Sequence, residues 1–207
     1  MTDAYTAGFL SGIVQTLVGH PLDTIKVRLQ SHRPLGVRSL YAGVTYPLLS
    51  SGIINSISFG VADATISYGY LGSGIIAGVV SGFVSAPIEY LKVQRQSNHV
   101  NAIKWRDIIV SGQLAMGTTL LRDAIGYGVY FPVFYHCKEE VGTFKAGAIA
   151  GIASWTAIYP LDTIKTRIQS GSTVKSSLLW KGYLPCIIRA GLVNAVGWVV
   201  YETLMSK

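Results

Sequence analysis

The sequence predicts an all-α membrane protein with six membrane-spanning helices, arranged as three repeats of two helices each. Of its 207 residues, 50% are hydrophobic, only 13% are charged and 23 are glycines, and the mean hydropathy is +0.41. This composition excludes a disordered or collagen-like chain and favours a helical protein embedded in lipid. A ten-residue pattern that occurs three times indicates the internal repeats.

The repeated pattern has a proline, an acidic residue two positions later, a lysine five positions later and a glutamine nine positions later. Its copies are PLDTIKVRLQ from Pro21, PIEYLKVQRQ from Pro87 and PLDTIKTRIQ from Pro160. Two glycines precede each proline by 13 and 9 residues, and small residues at this spacing let helices approach closely in lipid. We therefore predict helix contact faces at Gly8 and Gly12, Gly74 and Gly78, and Gly147 and Gly151.

Each repeat is predicted to begin with a helix that contains the pattern and to end with a second apolar helix. All six helices are long enough to cross ~30 Å of hydrocarbon at 1.5 Å per residue. The prolines are expected to bend the odd-numbered helices. The predicted helices span residues 4–30, 43–67, 71–96, 112–138, 144–170 and 182–205, within repeats 1–68, 69–141 and 142–207 of a single domain.

The residues after each proline predict a gate. At ~100° per residue, the acid, lysine and glutamine of one copy share a helix face. Charges at membrane depth are costly unless they are paired or line a wet cavity, so three such faces could form bridges between helices. Local pairs within each helix remain the alternative. The residues concerned are Asp23, Lys26 and Gln30, then Glu89, Lys92 and Gln96, then Asp162, Lys165 and Gln169.

With three copies of this pattern and of the glycine pairs in register, the chain resembles the mitochondrial carrier family over nearly its whole length. The resemblance implies pseudo-threefold symmetry around a central cavity, with both termini on the intermembrane-space side. It also implies alternating access between two networks of salt bridges. In the matrix network it pairs Asp23 with Lys92, Glu89 with Lys165 and Asp162 with Lys26, braced by Gln30, Gln96 and Gln169.

The second network, at the cytoplasmic end, is thinner in this sequence. By the family's geometry, only Asp63 and Lys138 can form an ion pair there, because the other repeats lack the base or the acid of the motif. One pair holds an end closed less firmly than three. We therefore expect the state that is closed at the matrix end to dominate without substrate.

The distribution of positive charge supports this orientation. Twelve of the 17 Lys and Arg residues lie between the prolines and the starts of the even-numbered helices, and positive residues favour the side that faces the negative compartment. The net charge of +7 therefore requires no nucleic acid partner, and anionic lipid is a compatible one. The family's cardiolipin-binding element survives as Trp180, Lys181 and Gly182, and the loop at 97–111 is long enough for a matrix helix.

Positions that differ between the repeats are candidates for substrate recognition. Arg122, Arg189 and Ser50 lie at one level of the even-numbered helices, and Asp123 follows Arg122. The resemblance places the substrate contacts of helices 4 and 6 at these charged residues and those of helix 2 at Ile54, Asn55 and Ser58. The Arg–Asp pair is similar to that of carriers of carnitine or basic amino acids, although a purely structural pair is the alternative. A similarity of the first repeat to carnitine/acylcarnitine carriers adds His20, which is otherwise a polar helix residue.

The sequence therefore predicts an inner-membrane exchanger of a small metabolite that bears a carboxylate and a cation. No catalytic constellation appears, so the chain is not an enzyme, and we expect no cofactor and no metal, since Cys137 and Cys186 lie alone in apolar stretches. We expect a monomer in the mitochondrial inner membrane, with cardiolipin as a lipid partner. Two alternatives remain. One is a nucleotide or deoxynucleotide carrier of the compact kind that a large virus could encode for its host's mitochondrion, and the other is a degenerate carrier that acts as a membrane scaffold.

Overall fold

The computed structural model describes residues 3–30, 40–41, 44–96, 105–169, 179–180 and 183–206. Their side chains are described for 3–22, 40–41, 44–45, 47–86, 116–164, 179–180 and 183–206. This part of the chain contains six long helices and no strand, which confirms the predicted all-α class. The helices are α1 (Ala4–Gln30), α2 (Thr45–Ala64), α3 (Gly69–Gln96), α4 (Trp105–Val141), α5 (Thr143–Gln169) and α6 (Tyr183–Met205).

The fourth helix differs most from its predicted bounds. It begins at Trp105 rather than at residue 112 and continues for 37 residues. Residues 105–111 of the loop that could have held a separate matrix helix are therefore the first two turns of α4. The helix extends into this loop because the stretch WRDIIVS contains neither glycine nor proline to end a helix.

Two glycines with positive φ join the repeats. Gly69 follows the short 3₁₀ helix Ile66–Tyr68, and Gly142 lies between α4 and α5. Both have φ of +79°, a conformation that glycine adopts without the steric cost that other residues incur. The chain can therefore reverse direction within a few residues at each of these two points.

The helices pack in a ring in which each contacts the next and α6 returns to α1. The glycine pairs lie at close contacts between the two helices of one repeat. A Cβ on Gly12 would lie 2.6 Å from the carbonyl oxygen of Ser51, and one on Gly78 would clash with the carbonyl oxygen of Asp123. In the third repeat, a Cβ on Gly151 would lie 2.6 Å from the Asn194 amide. The predicted contact faces are thus confirmed.

The bundle exposes large aliphatic side chains and buries several polar residues within its core. Small hydroxyl residues such as Ser11, Ser58 and Thr119 are fully buried, whereas Leu184 and Ile188 are exposed over more than 60% of their surface. Exposed aliphatic side chains around an interior that includes polar residues fit a lipid surrounding. By length and composition alone, two helical segments of the described chain could cross a membrane, Ile66–Ala86 and Tyr183–Met205.

Aromatic side chains close the bundle at the end that carries the chain termini. Phe59 of α2 contacts Phe131 of α4 and Trp198 of α6, with ring centroids 5.7 and 4.9 Å apart. These helices are not neighbours in the ring, so the three side chains meet in its centre. Phe134, stacked on Trp198 at 3.3 Å, and Tyr201, stacked on Phe59 at 4.4 Å, complete a cluster that we call the aromatic plug.

The end that carries the chain termini, which by the resemblance faces the intermembrane space, is therefore closed in this structure. The expected dominance of the matrix-closed state stays a prediction, because most side chains of the predicted matrix gate lie outside the described residues. The expectation counted ion pairs, and it omitted the rings of Phe59, Phe131 and Trp198, which are at most 2% exposed. Burial of three large aromatic side chains stabilises a closed end by several kcal/mol, on the order of 1.5–3 kcal/mol for each. This contribution exceeds that of a partly exposed ion pair.

Candidate substrate site

A cavity of about 210 Å³ lies next to the aromatic plug. Residues of α2, α4, α5 and α6 line it. The contribution of α4 is the largest, because residues at i, i+1, i+4, i+5 and i+8 lie on one helix face. The lining residues are Asn55, Arg122, Asp123, Gly126, Tyr127, Tyr130, Gly151, Ser154, Trp155, Ile158 and Asn194.

One part of this cavity is strongly charged. Arg122 Nε donates to Asp123 Oδ1 at 2.8 Å, and a second guanidinium nitrogen lies 2.6 Å from the same oxygen. The third nitrogen donates to Asp162 Oδ1 on α5 at 3.0 Å. Ser85 of α3 donates to the other oxygen of Asp123, also at 3.0 Å. Three helices thus hold one guanidinium between two carboxylates, and we call Arg122, Asp123 and Asp162 the charged cluster.

The charged cluster is largely shielded from solvent. The side chains of Arg122 and Asp123 are 13% and 10% exposed, and that of Asp162 is 27% exposed. Charge–charge interactions are stronger in such surroundings than at a surface, and ionic hydrogen bonds are about twice as strong as neutral ones. The cluster can therefore bind an ionic ligand firmly, provided that the ligand replaces the contacts it displaces.

A neutral polar pair lies at the side of the cavity that adjoins the aromatic plug. Tyr130 donates its hydroxyl proton to Asn194 Oδ1 at 3.0 Å, and Asn194 Nδ2 donates to the carbonyl of Ala190 at 2.8 Å. The Tyr130 ring stacks on Trp198 with centroids 5.8 Å apart. Tyr130 thus belongs to the wall of the cavity and also packs on the plug.

The structure brings together three of the substrate contacts named from the sequence, Arg122, Asp123 and Asn55. Ser58 and Ser50 instead donate to backbone carbonyls of their own helix, at 2.8 and 3.2 Å. Ile54, Ser58 and Ser50 do not line the cavity. A hydroxyl that is already bonded within its helix has less to offer to a ligand.

Arg189 and His20, the other two predicted contacts, lie towards α1 and α2. An Arg189 guanidinium nitrogen is 3.3 Å from the position that a Cβ on Gly19 would take. The His20 imidazole stacks on the Tyr41 ring at a centroid distance of 6.2 Å. Tyr159 and Trp180 stack in the same way at 5.9 Å, and they lie 139 residues after His20 and Tyr41. His20 therefore occupies a packing position of the repeat, not a wall of the cavity.

The predicted ion pair between Asp63 and Lys138 is wrong for this structure. Lys138 Nζ instead lies 2.6 Å from Glu202 Oε2. The reason is the stack of Phe134 on Trp198: Lys138 and Glu202 each follow these residues by four positions, so they lie one helical turn further along the same faces. The stack therefore brings the ends of α4 and α6 together, while Asp63 stays exposed.

Most of the predicted matrix gate lies outside the described side chains. Asp162 is described, and it pairs with Arg122. The predicted pairing of Asp162 with Lys26 and the other two predicted pairings stay predictions. In the predicted cardiolipin-binding element, the side chain of Trp180 is described and is half exposed. The predicted gate, brace and lipid-binding residues that lie outside the described side chains are Asp23, Lys26, Glu89, Lys92, Lys165, Gln30, Gln96, Gln169, Lys181 and Gly182.

Several residues that line the cavity were not predicted, although helix spacing or the internal repeat indicates their positions. Tyr127 and Tyr130 follow Arg122 on the same face of α4, one and two turns later. Asn194 lies 139 residues after Asn55, the separation of the first and third signatures, so it occupies the corresponding position of its repeat. Trp155 has no counterpart of this kind, and only the packing of α5 against α4 shows that it lines the cavity.

Comparison with known proteins bears on this architecture. The family model for mitochondrial carrier proteins matches residues 1–35 and 140–178, which contain the first and third signatures. The mitochondrial substrate carrier family protein L of Dictyostelium discoideum is 30% identical, over 98% of this chain and 94% of that protein. The chain belongs to the mitochondrial carrier family.

Other members of the family match over similar lengths. The mitochondrial arginine transporter BAC2 of Arabidopsis thaliana is 29% identical, over 97% of this chain and 90% of its own length. The human mitochondrial basic amino acids transporter is 26% identical, over 95% of this chain and 80% of its own length. As a mitochondrial carrier, the chain is a membrane protein that transports a small molecule, and it is not an enzyme.

Proposed function

We propose that this carrier exchanges a basic amino acid across the mitochondrial inner membrane. The observation that carries the proposal is the contact between Arg122 and Asp123 in the wall of the cavity. A guanidinium beside a carboxylate complements a ligand that itself bears a carboxylate and a cation. The ligand's carboxylate binds Arg122, and its ammonium group binds Asp123.

The size of the cavity supports a substrate no larger than an amino acid. An apolar cavity of ~150 Å³ accommodates benzene, with six non-hydrogen atoms. At the same ratio, the volume of about 210 Å³ suits roughly eight such atoms. This is close to the ten of lysine and far below the number in a nucleotide. The two carboxylates of the charged cluster also repel phosphates, which disfavours the nucleotide alternative.

The names of the relatives support the same substrate class. Two of the proteins that match nearly the whole chain are described as an arginine transporter and a basic amino acids transporter. Carnitine is the second candidate. The aromatic residues Tyr127, Tyr130 and Trp155 in the cavity wall favour it, because aromatic faces attract quaternary ammonium groups.

Transport in liposomes tests the proposal. The purified protein would be reconstituted, and uptake of labelled lysine, arginine, carnitine and ADP measured with and without internal substrate. We expect lysine or arginine uptake that depends on internal substrate. Asp123→Asn should reduce it by more than tenfold, because a charged hydrogen bond contributes about 1.5–3 kcal/mol, and Arg122→Ala should abolish it.

Thr203→Ala is the matched control, because the Thr203 hydroxyl is exposed and bonds to the Val199 carbonyl of its own helix, away from the cavity. Nucleotide uptake by the wild type that persists in Asp123→Asn would contradict the proposal. Full transport by Arg122→Ala would show that this cavity is not the binding site.

A further inference from the structure

The cavity has two chemically different ends, and only one of them is charged among the described side chains. Arg122 and Asp123 lie at the first end, and Tyr130 and Asn194 form the neutral pair at the other. Arg122 and Tyr130 are eight residues apart on one face of α4. This separation corresponds to about 12 Å along the helix axis. A ligand that contacts both ends must therefore be elongated.

The neutral end offers hydrogen-bond acceptors. The hydroxyl proton of Tyr130 is donated to Asn194, and the Asn194 amide donates to Ala190 within α6. Beyond these two bonds, the acceptor capacity of the pair is the remaining lone pairs of the Tyr130 hydroxyl and of Asn194 Oδ1, and the second N–H of the Asn194 amide is a donor. Tyr127 and Trp155 add aromatic faces to the same cavity. Oxygen acceptors and aromatic rings together suit a desolvated cation that carries N–H donors.

The charged end suits the opposite part of an amino acid. Its guanidinium can donate hydrogen bonds to the α-carboxylate of a substrate, and the adjacent carboxylate can accept hydrogen bonds from the α-ammonium group. In extended lysine, five bonds separate Cα from Nζ, or about 6 Å at bond lengths near 1.5 Å. Hydrogen-bond reach of about 3 Å at each end extends the span to roughly 12 Å, which is comparable to the axial rise between Arg122 and Tyr130 along α4.

We infer that Asn194 and Tyr130 bind the side-chain cation of the substrate, while Arg122 and Asp123 hold its α-amino and α-carboxylate groups. The inference rests on the proposed function and adds a chain-length requirement to it. The substrates are long α-amino acids with a terminal ammonium or guanidinium group, and the neutral end of the cavity discriminates them from neutral amino acids of equal length.

Competition for labelled lysine uptake in liposomes tests this assignment. Norleucine lacks only the terminal ammonium of lysine, citrulline is a neutral counterpart of arginine, and 2,3-diaminopropionate has the same charges as lysine on a much shorter chain. The wild type should bind lysine at least tenfold better than norleucine or 2,3-diaminopropionate, and arginine at least tenfold better than citrulline.

Variants separate the two ends. Asn194→Ala and Tyr130→Phe should reduce the preference for lysine over norleucine at least fivefold while norleucine still competes. Asp123→Asn should weaken lysine and norleucine by the same factor, because both have the α-ammonium group. Tyr183→Phe is the matched control, because its hydroxyl pairs with Thr156 away from the cavity, and it should leave the preference unchanged.

The results distinguish this inference from the proposed function. If Asp123→Asn removes the preference for lysine over norleucine and the two neutral-end variants keep it, the side-chain cation binds at the charged end, and only the inference fails. If 2,3-diaminopropionate competes as well as lysine in the wild type, the length requirement is wrong, whatever the variants do. If neither lysine nor arginine is transported or competes, both proposals fail.

Discussion

Lys138 Nζ lies 2.6 Å from Glu202 Oε2, one helical turn beyond the stacked rings of Phe134 and Trp198. The pair thus joins α4 to α6 across the end of the bundle that the aromatic plug closes. Its two side chains are 34% and 29% exposed. Water and salt therefore screen it in part, and most of the stability of this closed end comes from the rings beneath it.

We expect the coupling between Lys138 and Glu202 to be small but specific. A double-mutant cycle of Lys138→Met and Glu202→Gln should give no more than about 1 kcal/mol, the range for partly exposed ion pairs. Thermal unfolding of the detergent-solubilised protein would measure it. The cycle of Lys138→Met with Asp63→Asn is the control and should be additive; coupling to Asp63 instead would restore the pairing predicted from the sequence.

The aromatic plug should contribute more. Phe134 is fully buried, so Phe134→Ala should destabilise the closed end by about 3–5 kcal/mol. The rate of alkylation of Cys137, which packs against the buried cluster, would report opening in a Cys186→Ser background. We expect faster labelling than in Phe83→Ala, a matched change at a side chain that is 55% exposed. Equal rates in the two variants would argue against the plug as a closure.

The close approach of α3 to α4 predicts strong intolerance at Gly78. A methyl group there would clash with the backbone carbonyl of Asp123, and a backbone atom cannot move aside as a flexible side chain can. Gly78→Ala should therefore lower the melting temperature markedly and reduce transport. Gly117→Ala on α4 is the control, since among the described residues no atom outside its own stretch of helix lies within 4 Å of the added methyl; similar losses in both would point to helix propensity or to another general cause.

The matrix gate can be tested by reversing one bridge. Asp23→Lys and Lys92→Asp should each impair transport, because each brings two like charges together, and the double variant should recover it by restoring the opposite charges. Exchange of the labelled substrate in liposomes measures the recovery. A double variant that is no better than the worse single variant would show that these two residues do not pair.

The helices were predictable because the triplicated pattern, the glycine pairs and the apolar segments each have a fixed spacing in the sequence. Arg122 and Asp123 were predictable for a related reason: charges in a low-charge helix must be paired or line a wet cavity. The partner of Lys138 was not, since it depends on how the rings of Phe134 and Trp198 pack. Packing of this kind involves positions 64 residues apart and leaves no periodic signal along the chain.

A closure made of aromatic rings responds to different solution variables from one made of ion pairs. Salt screens charges within a Debye length of about 8 Å at physiological ionic strength, but Phe59, Phe131 and Trp198 offer it no charge to screen. Hydrophobic stabilisation instead weakens on cooling. The end closed by the aromatic plug should therefore open more readily in the cold and respond only weakly to ionic strength, through the Lys138–Glu202 pair. Closure by the three predicted matrix bridges would instead loosen as salt rises. Cooling and added salt would thus favour the opening of opposite ends of the same carrier.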